Sequence, residues 1–126
     1  MTDSALRIDY DGRRFRPVSE DPEEAGRSAR YHQQGDLLWG EFAGGDTRRG
    51  VLTGVCSADG VLDFAYCMVL GSGEVVSGRC HSEPSTLPDG RILLREWWER
   101  YGRDGDSGIS YLEEVPAPAT APASEA

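Results

Sequence analysis

Turn chemistry recurs along this chain at nearly even intervals, and that spacing limits what the chain can fold into. Asp11-Gly12, Gly35-Asp36, Gly44-Gly45-Asp46, Asp59-Gly60, Gly71-Ser72-Gly73, Asp89-Gly90 and Asp104-Gly105-Asp106 all place glycine beside a short polar residue. Glycine reaches positive φ without steric cost, and Asp or Ser bonds its own backbone. Between these points lie short segments rich in aromatic and β-branched residues, which suit a half-buried pleated surface. The pattern predicts strands at about 6–10, 13–18, 28–34, 37–43, 50–57, 61–69, 74–82, 91–101 and 109–115. No interval holds a long amphipathic helix. Glu23–Arg27 has the length for one turn, which Gly26 weakens.

Many short strands joined by short turns fold as a sandwich or a barrel. Connections this short favour an up-and-down meander, and closing it removes the unpaired edges that invite aggregation. The expected fold class is all-β: a single antiparallel up-and-down β-barrel of about eight to nine strands. Gly40, Gly54 and Gly78 fall inside strands, where glycine marks a bend, a bulge or a bulky group leaning over the backbone. The barrel is expected over residues 6–115, after a disordered N-terminus at 1–5. Residues 116–126 are built from Ala, Pro, Thr, Ser and Glu with no large apolar side chain. Such a segment cannot offset the entropy of ordering, and it is read as a disordered tail.

Composition narrows the partners. A chain of 126 residues with 38% hydrophobic content can bury one modest core. A formal charge of −9 argues against nucleic acid and against anionic membranes. Arg13–Arg14 and Arg48–Arg49 flank turns and read as solvated loop residues. There is no apolar N-terminal run, so neither a signal peptide nor a membrane span is expected. Cys56, Cys67 and Cys80 are odd in number, lack CxxC spacing and sit in apolar segments. They read as small buried hydrophobes in a reducing compartment, the cytoplasm. His81 adjoins Cys80, but neighbours on a strand point to opposite faces, so no metal site is expected. No cofactor is expected either.

Alternation divides each strand into two faces. On 91–101 the set Ile92, Leu94, Glu96, Trp98 should face inward, because the other face carries Arg91, Arg95 and Glu99. On 61–69 the bulkier set is Leu62, Phe64, Tyr66, Met68. Pairing Ser57 with Val61 turns Leu52, Gly54 and Cys56 inward and sets Gly54 opposite Phe64. Pairing Val69 with Glu74 turns Val75, Ser77, Arg79 and His81 inward, and a one-residue change in that loop would reverse the assignment. On the last strand Ser110, Leu112 and Glu114 share a face. Pattern alone does not choose between Trp39 with Glu41 and Leu38, Gly40 with Phe42.

The motifs also carry a resemblance. Trp39-Gly40-Glu41-Phe42-Ala43-Gly44-Gly45 is followed by Arg49-Gly50 and Leu52-Thr53-Gly54. Later come Leu87-Pro88-Asp89-Gly90-Arg91-Ile92, Glu96-Trp97-Trp98 and Gly108-Ile109-Ser110-Tyr111-Leu112-Glu113-Glu114. Across residues 8–115 these resemble short bacterial proteins carried under the label "N-acetylglutamate synthase". That label implies acetyl transfer from acetyl-coenzyme A, which commonly uses a strand, a Gly-rich turn and a helix to hold the pyrophosphate. The chain offers no such unit, and the label is read as a misassignment. The strand pattern resembles instead the lipocalin, fatty-acid-binding and avidin (calycin) group of barrels, an analogy of architecture.

The candidate site is the set of polar and aromatic residues expected inside: Tyr66, Arg79, Glu96, Trp98 and Glu114, with His81 and Ser110 nearby. A carboxylate between Leu94 and Trp98 needs a partner, and Arg79 is the candidate. The set reads either as an internal network that fixes register or as the polar anchor of a ligand cavity. Three functions follow. The first is a binding module holding a small, partly apolar, planar ligand against Phe64, Tyr66 and Trp98, oriented by Arg79 or Glu96. The second is a cofactor-free isomerase or cyclase using Glu96, Glu114 or His81 as acid or base. The third is a structural or interaction barrel filled by its own side chains. No pattern names a catalytic residue, and Tyr101 or Trp97 leaves a homodimer seam open.

Overall fold

A computed structural model describes residues 8–102 and 106–116. Eight strands run in order: β1 (Arg14–Pro17), β2 (Ser28–Gln34), β3 (Leu37–Gly44), β4 (Thr47–Cys56), β5 (Leu62–Leu70), β6 (Val75–Thr86), β7 (Ile92–Arg100) and β8 (Ser107–Glu114). They close into one antiparallel barrel in which each strand pairs with its chain neighbour. The short β1 completes the ring against β8 through Phe15–Glu114, Arg16–Glu113 and Pro17–Leu112. The all-β up-and-down barrel expected from turn spacing is the fold. The stretches expected to be disordered, 1–5 and all but Pro116 of 116–126, lie outside the described residues.

The strand expected at 6–10 does not form over 8–10, the part described. The Gln33 side chain, not a neighbouring strand, accepts from the Tyr10 amide at 2.9 Å. Tyr10 instead plugs one end of the barrel, fully buried, its hydroxyl donating to the Gly60 carbonyl at 2.6 Å.

One hairpin connection is used three times. Ser57, Leu70 and Leu87 donate their amides to Val61, Glu74 and Arg91, each across three residues that end in a glycine at φ 82, 93 and 93. Three-residue loops with a left-handed last residue match the twist of the strands they join. This confirms the Ser57–Val61 pairing, with Leu52, Gly54 and Cys56 inward. It corrects the next one: Val69 pairs with Val75, not Glu74. The one-residue difference turns Val76, Gly78, Cys80 and Ser82 inward and sends Val75, Ser77, Arg79 and His81 to the outer face.

On β3 the inward set is Leu38, Gly40 and Phe42, which leaves Trp39 and Glu41 outside, where Glu41 meets His32. Cys56 and Cys80 are buried as expected, but Cys67 is exposed, since β5 turns Leu62, Phe64, Tyr66 and Met68 inward.

The interior is organised by a repeated pair. Tyr31 faces Gly40, Phe42 faces Gly50, Phe64 faces Gly54, Tyr66 faces Gly78 and Trp98 faces Gly108, each directly across a strand boundary. A Cβ on any of these glycines would collide with the facing aromatic residue or with neighbouring backbone. The absent side chains leave room for the facing aromatic residues, which lets a small barrel carry many aromatics inward. The end holding Tyr10 is filled by Phe15, Leu38, Leu62, Ile92 and Leu94. The other end is not filled.

Candidate functional site

The cavity occupies the half of the barrel away from Tyr10 and measures about 230 Å³. At the volume of liquid water that is room for about eight molecules. Its walls are aromatic: Phe15, Tyr31, Phe42, Phe64, Tyr66 and Trp98 all line it. Trp98 is held in place by its indole Nε1, which donates to Ser110 Oγ at 3.0 Å.

Glu96 projects into this space from β7, between the buried Leu94 and Trp98. Ser82 Oγ donates to its Oε2 over a long 3.4 Å. No Lys, Arg or His among the described residues reaches it within ion-pair distance, although nine such pairs form elsewhere. Burial without an ion-pair partner disfavours the carboxylate and raises its pKa from 4.5 to about 7, against smaller opposing effects of Ser82, Cys80 and Arg27. The same burial pushes Tyr66 up to about 12 and the Cys80 thiol well above its ordinary value. Tyr31 rises as well, by burial first and then by its proximity to Glu96.

The unfilled end is rimmed by the β1–β2 connection, which bends over the barrel. Glu24 and Arg27 donate their amides to Asp21 and Glu24 in successive turns. Asp46, in the β3–β4 turn, donates its amide to the Glu23 carbonyl at 2.7 Å and pins the loop down. Gly44 and Gly45 allow the contact, since a Cβ on either would strike the backbone of Gly26 or Glu23. Asp21, Glu23, Glu24 and Asp46 line the mouth together with Arg27 and Arg100. Arg27 Nε is buried with no hydrogen-bond partner among the described residues, and its Nη1 lies 4.0 Å from Glu24.

Of the five residues expected to form the site, Tyr66, Glu96 and Trp98 line the cavity. Arg79 does not. It lies on the outer face, bonded to Glu99 at 3.2 Å with its guanidinium 5.2 Å from the Trp97 ring centre, so it is not the partner of Glu96. Glu114 has the expected face but the wrong end: Arg13 binds it at 2.9 Å and the Ile92 amide donates to it at 3.1 Å. His81 is outside too, its Nδ1 2.7 Å from Asp63 and its Nε2 3.3 Å from Glu83, which together raise its pKa. Tyr31, Phe42 and the acidic rim were not read as site residues. The pairing of an aromatic with a glycine one strand away was the signal for the first two.

A protein-family model described as "Avidin-like protein" matches residues 8–115. This chain belongs to the avidin-like family. The match spans every strand, which agrees with the closed eight-strand barrel. Neither a curated protein nor a solved structure matches it.

Proposed function

We propose that this avidin-like barrel binds a small, partly apolar, planar molecule between Phe64, Tyr66 and Trp98, with Glu96 orienting its polar end. The observation that carries the reading is the cavity itself: six aromatic residues around one half-buried carboxylate that has no ion-pair partner among the described residues. A few convergent polar groups in a concave aromatic site are what small-ligand recognition requires. An interior with space for about eight waters speaks against a barrel filled by its own side chains. The three cysteines are free, in keeping with the cytoplasm as the working compartment.

A second reading, a cofactor-free isomerase or cyclase, draws on the Glu96 pKa of about 7, which suits proton transfer near neutrality. Native mass spectrometry of protein purified gently from its host tests the first reading. A discrete mass lost on denaturation supports it and supplies a compound to assay for turnover. A bare mass, with no heat on titrating small heteroaromatic compounds, refutes it.

A further inference from the structure

The binding reading leaves the ligand's charge open, and the cavity decides it. Resting on that reading, we propose that the ligand is a small organic cation whose ammonium group reaches Glu96 between the aromatic rings. A carboxylate facing the cavity receives only the Ser82 hydroxyl at 3.4 Å and the weakly donating thiol of Cys80. A ligand cation supplies the missing partner; a neutral ligand leaves the charge uncompensated, and an anionic one opposes it. The walls agree, since aromatic faces attract cations and repel anions. So does the route in: the cavity and its mouth carry five carboxylates, Asp21, Glu23, Glu24, Asp46 and Glu96, against the two guanidiniums of Arg27 and Arg100. Arg27 Nη1 lies 4.0 Å from Glu24, and its charge offsets only a minor part of the burial penalty on Glu96, while Arg100 acts on the Tyr66 hydroxyl. Acidic lining at a low-dielectric mouth raises the local concentration of cations.

Calorimetric titration of the full chain with choline and with its uncharged isostere 3,3-dimethylbutan-1-ol tests the proposal. Choline does not titrate, so any pH dependence belongs to the protein. The groups facing Glu96 are Tyr31 from β2, Tyr66 from β5, Cys80 and Ser82 from β6, Ser110 from β8, and Arg27 and Arg100 at the mouth. Burial keeps the three aromatic and thiol protons in place, leaving Glu96 as the cavity group that changes charge near 7.

The expected result is a preference of about tenfold for choline over the alcohol. It should grow as pH rises through about 7 and vanish in Glu96→Gln. The wild-type pH profile carries the test should that variant fail to fold. Equal or tighter binding of the alcohol, or a flat profile, overturns the cation and leaves the binding reading standing. Binding of neither probe at millimolar concentration overturns the cation as well, while the binding reading is still judged by the co-purified mass.

Discussion

Replacing Glu96 by Gln should stabilise this protein at neutral and alkaline pH, although the side chain sits in the interior. The carboxyl titrates at 4.5 when unperturbed and at about 7 in the folded chain, chiefly because burial removes water from the charged form. At about 1.4 kcal/mol per pH unit, that interval corresponds to about 3 kcal/mol. The sign follows from proton counting. Below 4.5 the group is neutral folded and unfolded, and it costs nothing. Between 4.5 and about 7 the folded state holds the extra proton, so stability falls as pH rises. Above that window the full penalty stands. The amide keeps the shape and the hydrogen bond from Ser82 without the charge. Thermal unfolding of both proteins from acid to alkaline pH should show melting temperatures that agree below 4.5. They should separate by about 12 °C above the window, at roughly 4 °C per kcal/mol. His81 also loses stabilisation as pH rises, but equally in both proteins, so it cancels in the difference. A variant less stable than the parent at alkaline pH, or a difference independent of pH, would refute the reasoning.

Three further expectations follow from particular contacts. Tyr10→Phe removes the hydroxyl that donates to the Gly60 carbonyl at 2.6 Å and strands that acceptor, which should cost about 1–3 kcal/mol in urea unfolding. No loss would mean the plug acts through its ring alone. Gly54→Ala drives a methyl into Phe64 and the Asp63 carbonyl, and should lower stability by about 1–3 kcal/mol, read as a lower urea midpoint at unchanged slope. A neutral result would show that the sheet yields there. Asp63→Asn takes the main partner from His81, 2.7 Å away, and should move that imidazole's pKa down toward 6.5 in an NMR titration. An unmoved value would assign the shift to Glu83.

The face assignments show where pattern sufficed. On β5 and β7 the two faces differ in bulk or charge, so Leu62, Phe64, Tyr66, Met68 and Ile92, Leu94, Glu96, Trp98 were legible as inward sets. The Ser57–Val61 hairpin was legible because Asp59-Gly60 marks its turn. β6 was not legible from its own residues. Val75, Ser77, Arg79, His81 and Val76, Gly78, Cys80, Ser82 are both plausible linings, and the choice rests on whether Gly71-Ser72-Gly73 is the whole loop. A period of two makes one residue of loop reverse an entire strand. β3 was undecided for a related reason: Trp39 is as apolar as Leu38, and only pairing to β2 and β4 turns Leu38, Gly40 and Phe42 to the core.

What this sequence determined by itself was local: turns at even spacing, strands between them, glycines under bulky groups, and a glutamate placed by alternation where charge is costly. These depend on backbone sterics and on side-chain period, which act over a few residues. The partner of Glu96, the position of Glu114 and the existence of a cavity depend on distances around and along a closed ring. Closure stacks Glu114 beside Arg13 at the filled end. It leaves Glu96 among rings at the other end and brings the Glu20–Glu24 segment over the mouth through one backbone bond from Asp46. Those contacts join residues far apart in the chain, and only the tertiary structure could decide them.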